Sequence, residues 1–197
     1  MLARRAGMAR RCCMRRVALI LALSVLSALA HAEAPVERHA AVNKLLNALK
    51  TAPNATAAGM LELQIQRLWL NESTPAVTLL MTRGLRELKA NATSDAIEDF
   101  GDVITLDPKL AEGYLQRGIA RYQAGDTDGA IADIEATLKQ DPQHFTAFAT
   151  LSQIAEGRKD WKGAYAAWQQ FMQFDPKIEG GADRLKGLKR KAFGEET

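Results

Sequence analysis

The sequence predicts an all-α protein built as a row of antiparallel helix pairs, and three observations carry that prediction. The first is a period. Asp107-Pro108, Asp141-Pro142 and Asp175-Pro176 recur every 34 residues, and the same step relates Gly84, Gly118 and Ser152, then Ala96, Ala130 and Ala164, then Phe100, Ile134 and Trp168. Independent columns sharing one interval mark stacked repeats rather than a single irregular core. The second is that each interval holds two proline-free stretches of helical length with turn-forming residues between them, as at Gly125-Asp126. The third is composition. With 197 residues, 47% hydrophobic and 25% charged, the chain is globular and has room for one domain or an array of small repeats, not for two large domains.

Taken in order, residues 1–32 read as a secretory signal peptide. Arg4, Arg5, Arg10, Arg11, Arg15 and Arg16 form a positive region without an acid, and Val17 to Ala30 is an uncharged apolar run. That run spans only about 21 Å as a helix, short of a hydrocarbon core of about 30 Å, so removal is expected rather than stable membrane insertion. Small residues suit cleavage after Ala30 or Ala32; the second is preferred and would start the exported chain at Glu33. Met14 competes with Met1 as the true start. No cysteine follows the apolar run, which excludes a lipoprotein anchor. The expected location is a bacterial periplasm.

Export changes the charge argument. The formal charge of +3 belongs to the whole chain; beyond residue 32 there are 20 Lys and Arg against 23 Asp and Glu. The basic balance therefore comes from the signal, and nucleic acid is not an expected partner. Cys12 and Cys13 also lie in the signal, so the remainder has no disulfide, cysteine nucleophile or cysteine-ligated metal.

Residues 33–76 read as an N-terminal helical hairpin. Val36–Thr51 and Ala55–Asn71 carry apolar stripes (Val42, Leu45, Leu46, Leu49; Leu61, Ile65, Leu68, Trp69) broken by Ala52-Pro53-Asn54. The expectation is that this degenerate, off-register pair caps the first periodic copy. The three copies are 77–110, 111–144 and 145–178. In the middle one, Ala111 to Ala124 forms the first helix and Gly125 its left-handed end. Asp126 or Thr127 caps the second helix, and Asp141-Pro142 stops it, because proline lacks a donor and restricts the residue before it. Gly118 and Ala130 let the two backbones approach closely while Ile134 fills the space above. Residues 179–197 supply a closing helix, Ala182–Phe193, with Leu185, Leu188 and Ala192 buried and Lys186, Lys189, Arg190 and Lys191 wet.

The residues Tyr114, Gly118, Ala120, Tyr122, Gly125, Asp126, Ala130, Ile131, Leu138 and Pro142 resemble the signature of the tetratricopeptide repeat (TPR) family, and residues 77–176 look like three tandem copies. The first departs at Asn91 and Ala92, the third at Ser152 and Lys159. The organisation is similar to small exported TPR proteins of Gram-negative bacteria. The resemblance implies a right-handed solenoid of helix hairpins that holds a partner segment in a concave face made by the first helix of each repeat. Carried over position by position, the groove comprises Met81, Leu85, Leu88, Glu112, Leu115, Ile119, Tyr122, Gln123, Ala149 and Gln153. Its apolar middle suits an amphipathic or apolar protein segment bound by burial. The places where chaperone-binding relatives hold a terminal carboxylate carry Met81, Leu85, Gln116, Thr146 and Thr150, which argues against that mode. The opening hairpin, or a second copy of the chain, competes for the same strip.

Catalytic signals are weak. His39 and His144 lie far apart in the repeat order and read as exposed structural residues. Asp126-Thr127-Asp128 is explained by helix capping, and no phosphate loop, nucleophile elbow or zinc-binding pair is present. The expectation is a non-enzyme without cofactor or metal. Phe145, Phe148, Trp161, Tyr165, Trp168, Phe171 and Phe174 concentrate aromatics in the last copy. Packing is the expected use of most, with Trp161 and Tyr165 the exposed members. Two further functions stay open: self-assembly into a homo-oligomer, and binding of an envelope polymer or glycan by these aromatics and the basic run Arg184–Lys191.

Overall fold

The computed structural model describes residues 39–71 and 73–194; the expected signal lies outside them. The described residues from Val42 onward belong to one compact unit, and residues 39–41, which precede it, are helical. The helices are α1 (39–50), α2 (Ala55–Leu70), α3 (Pro75–Lys89), α4 (Thr93–Leu106), α5 (Ala111–Gln123), α6 (Thr127–Gln140), α7 (Phe145–Gly157), α8 (Trp161–Phe174) and α9 (Gly181–Phe193). No strand occurs among the described residues. The fold is a helical solenoid in which α3/α4, α5/α6 and α7/α8 pair as hairpins, each pair stacks on the next, and α9 closes the far end against α8.

The periodic columns have a local physical use. Thr74, Asp126 and Asp160 accept from the backbone N–H of Val77, Gly129 and Gly163 and so cap α3, α6 and α8. The three inter-helix turns place Asn91, Gly125 and Lys159 in the left-handed region, at φ 62°, 89° and 61°. The departures at Asn91 and Lys159 therefore preserve the backbone path and lose only the glycine that adopts it freely. In the Asp-Pro column, Asp107, Asp141 and Asp175 each turn Oδ1 back to accept from the backbone N–H two residues on, in Lys109, Gln143 and Lys177.

Close approach explains the small-residue column. A Cβ on Gly118 would lie 2.9 Å from Ile134 Cδ1 and 3.2 Å from the Ala130 carbonyl oxygen. Ser152 has the same place in α7 and donates its hydroxyl to the Ala164 carbonyl at 3.0 Å. A second column was not legible as such. Asp133 accepts from Arg117 at 2.7 and 2.9 Å and from Arg121 at 2.8 Å, and one repeat earlier Asp99 is paired with Arg83. These carboxylates are buried on the second helix of each pair.

The opening hairpin corrects the sequence-based expectation. It does not cap the first copy. Leu46, Leu49, Ala52, Ala58, Ile65 and Trp69 share one buried cluster with Phe145, Ala164, Trp168, Phe171 and Leu188 of the third copy and closing helix. The cluster of the first copy, around Val77, Met81, Phe100 and Val103, takes only Leu70 from α2. The aromatic residues Phe145, Trp168 and Phe171 supply much of the surface on which the hairpin packs.

Candidate functional site

The side chains of α3, α5 and α7 that the sequence assigns to one strip divide into two groups. Met81, Glu112 and Leu115 are buried, at 1%, 4% and 2% exposure. Met81 packs in the first-copy cluster and Leu115 in the middle one with Ala130, Ile134, Ala147 and Ile154. These three are corrected from groove lining to core, because the neighbouring helix pair closes over them. Leu85, Leu88, Ile119, Tyr122 and Ala149 are half-buried, and Gln123 and Gln153 are exposed. The accessible strip therefore runs along the later turns of α3, α5 and α7. Tyr122 reaches across from α5 so that a β-carbon at Gly157 would collide with its hydroxyl, which ties the second and third copies together.

The opening hairpin occupies the other end. Trp69 stacks on His144 with ring centroids 3.8 Å apart and lies 5.3 Å from the Phe145 ring. His144 is fully buried, not exposed as expected from sequence: Nε2 is 3.0 Å from Glu112 Oε2, and Nδ1 is 2.9 Å from Thr146 Oγ1. Ser73 donates to Asp107 Oδ2 at 2.6 Å, and the Lys50 ammonium sits 5.2 Å from the centre of the Phe174 ring. Residues 73, 69 and 62 thus meet the corners at Asp107, His144 and Asp175 in turn, so α2 crosses the array against the order of the repeats.

Glu62 faces Asp175 at the last corner. Burial, a hydrogen bond with Asp175 and repulsion from it raise the Glu62 carboxyl from 4.5 to about 7. Asp175 is fully buried, and its Oδ2 has no hydrogen-bond partner. Elsewhere the guanidinium of Arg83, by hydrogen bonding, holds Asp99 below its ordinary value, and hydrogen bonding to Asp133 raises Arg117.

Where the first two copies hold an arginine–aspartate pair, the third holds Leu151 and Ala167. There a cleft of about 570 Å³ opens, lined by Ile131, Leu151, Ile154, Ala155, Arg158 and Asp160. At the closing end Arg184 turns inward, 2.6 Å from Glu156 and 4.0 Å from the Trp168 ring centre. Trp161 and Tyr165, expected to be exposed, are half-buried. Among the described residues no group of three or more His, Cys, Asp or Glu side chains could hold a metal, and no helix is long and apolar enough to cross a membrane. Sequence reasoning missed the Arg117–Asp133 and Glu112–His144 contacts. Their spacings of 16 and 32 residues fit no single helix face; only the pairing of helices explains them.

A strip of small and apolar side chains on the first helices of stacked antiparallel pairs defines a helical-repeat scaffold. Residues 81–144 and 115–173 match the tetratricopeptide repeat model, and the repeat region of the chain belongs to the tetratricopeptide repeat family. A TPR repeat-containing protein of Rhizobium etli is 22% identical over 156 residues, covering 79% of this chain and 76% of that relative. Among solved structures, MamA superposes with a TM-score of 0.55 at 16% identity, over 80% of this chain and 84% of MamA. The first TPR of Spaghetti (RPAP3), bound to an HSP90 peptide, superposes with a TM-score of 0.54 at 13% identity, over 58% of this chain and 90% of that one. At these identities the likeness shows the fold.

Proposed function

We propose that this protein is a non-enzymatic adaptor, exported to the periplasm, that holds one apolar or amphipathic segment of a partner protein and serves assembly of a cell-envelope complex. The observation that carries the reading is the half-open strip of Leu85, Leu88, Ile119, Tyr122, Gln123 and Gln153, left uncovered beside the crossing helix α2. A segment laid there would bury apolar side chains on a preformed surface, with the exposed glutamines satisfying its backbone at the rim. Support comes from the peptide held by the Spaghetti domain, whose fold is shared. The strip here has no cationic row of its own, so burial rather than carboxylate capture would supply the affinity. The competing occupant named from sequence, the opening hairpin, takes the neighbouring end of the face.

Site-specific photo-crosslinking in living cells tests this. A crosslinker at Gln123 or Gln153 should give one discrete adduct that Ile119→Asp abolishes, while a crosslinker at exposed Ala132 on α6 should give none. Equal adducts at all three positions, or adducts unaffected by Ile119→Asp in a folded protein, would overturn the groove. Fractionation and amino-terminal sequencing test export: the released chain should begin at Glu33.

A further inference from the structure

The outward side of α9 carries a row of exposed side chains. Lys186, Lys189, Arg190 and Phe193 are all exposed, and their spacing of i, i+3, i+4 and i+7 aligns them on one face. Leu188 and Gly181 are buried on the other. Phe193 is 61% exposed, held edge-on to Tyr165 at 5.5 Å and 90°, with the Lys162 ammonium 6.0 Å from its ring centre. On the flank, the Lys191 ammonium lies 4.4 Å from the Trp161 ring centre. Arg184 is turned away into its pair with Glu156. Among the described residues, none of Lys162, Lys186, Arg190 and Lys191 is ion-paired. The acid on the exposed side of α9 is Asp183, in the first turn, where it complements the helix dipole at the end away from Phe193.

We infer that this face docks the protein on an anionic phospholipid surface. Three arguments select that partner. The part of the chain beyond residue 32 has more acids than bases, yet residues 184–191 hold five bases and no acid before Glu195 and Glu196 follow in sequence, so positive charge is concentrated along α9 and orients that helix toward a negative surface. Its cations are mostly lysines, compact and strongly hydrated point charges suited to a diffuse anionic surface rather than to bidentate capture of one anionic group by an arginine fork. An exposed aromatic ring among those cations is suited to the headgroup level of a bilayer. The association is peripheral, since α9 already spends its apolar side on the solenoid. It is independent of the groove and leaves the strip on α3, α5 and α7 free.

Lysine reactivity in the full-length chain tests the proposal at the patch itself, which separates it from the arginines and apolar run of the first 32 residues. With phosphatidylglycerol vesicles, acetylation of Lys186, Lys191 and Lys162 should slow about five-fold or more, and about 0.5 M salt, which shortens the screening length to roughly 4 Å, should reverse it. Lys44 and Lys109 are internal controls and should not change. Phosphatidylcholine vesicles and soluble polyglutamate should leave all five unchanged. Lys186→Glu with Arg190→Glu should remove the protection at Lys191 and Lys162, and Phe193→Ala should reduce it; both sites are exposed, so the fold is expected to survive, as circular dichroism can verify. Unchanged reactivity with anionic vesicles would overturn the inference. Equal protection by polyglutamate would overturn it too, and would assign the face to an acidic polypeptide.

Discussion

At the scale of single residues, the burial of a side chain and its partners decide what a substitution does. Asp133 is 3% exposed and accepts from two arginines, so Asp133→Ala strands both cations and should cost about 2–4 kcal/mol. Asp99→Ala should cost less, because its partner Arg83 has a side chain 48% exposed and can turn to water. Urea unfolding of the two variants checks the order; an equal loss would sink the argument. Gly118→Ala should cost about 1–3 kcal/mol, since the new methyl meets a backbone carbonyl that cannot move aside. Lys159→Gly should do the reverse and raise stability by about 0.5–1 kcal/mol, by relieving a side chain held at positive φ. The glycine column and the turn column were both legible from their period. The Asp133 pairing was not, because its partners come from a different helix and an exposed-looking pattern of charges hid a buried one.

At the scale of elements, α2 is the informative case. Its stripe of Leu61, Ile65, Leu68 and Trp69 correctly predicted a helix with one buried side, and the break at Pro53-Asn54 was equally clear. Asn54 caps the helix by accepting from Ala57 N–H at 2.9 Å. What the stripe packs against was not encoded locally: any apolar surface of matching shape satisfies it. Burial of Glu62, with its contact to Asp175, gives this element a pH signature. The Glu62 carboxyl stands at about 7 in the folded chain against an ordinary 4.5, so the folded state binds its proton more tightly. That contribution to stability is complete below pH 4.5 and is lost as pH rises through 7. Glu62→Gln keeps a donor toward Asp175 without the charge, so the urea midpoint of the variant should fall less than that of the parent between pH 4.5 and 8. Parallel curves would remove the shared proton from the account.

At the scale of the molecule, the hairpin joins the third copy and α9 in one buried cluster. Trp69→Ala should destabilise by about 3–5 kcal/mol, and hydrogen exchange should show where the loss falls. Because Trp69 lies on His144 and Phe145, amides of α7 and α8 should lose protection before those of α3 and α4; the opposite order is what a cap on the first copy would produce. The sequence alone determined the helical class, the 34-residue register, the turns and the closing helix, since each depends on spacing, capping and glycine or proline chemistry within a few dozen residues. Only the tertiary structure decided that α2 crosses to the third copy, that Met81, Glu112 and Leu115 are core, and that His144 is buried. Those outcomes depend on which apolar surfaces find one another across many residues of chain, and hydrophobic burial is non-directional: it demands a partner without specifying which.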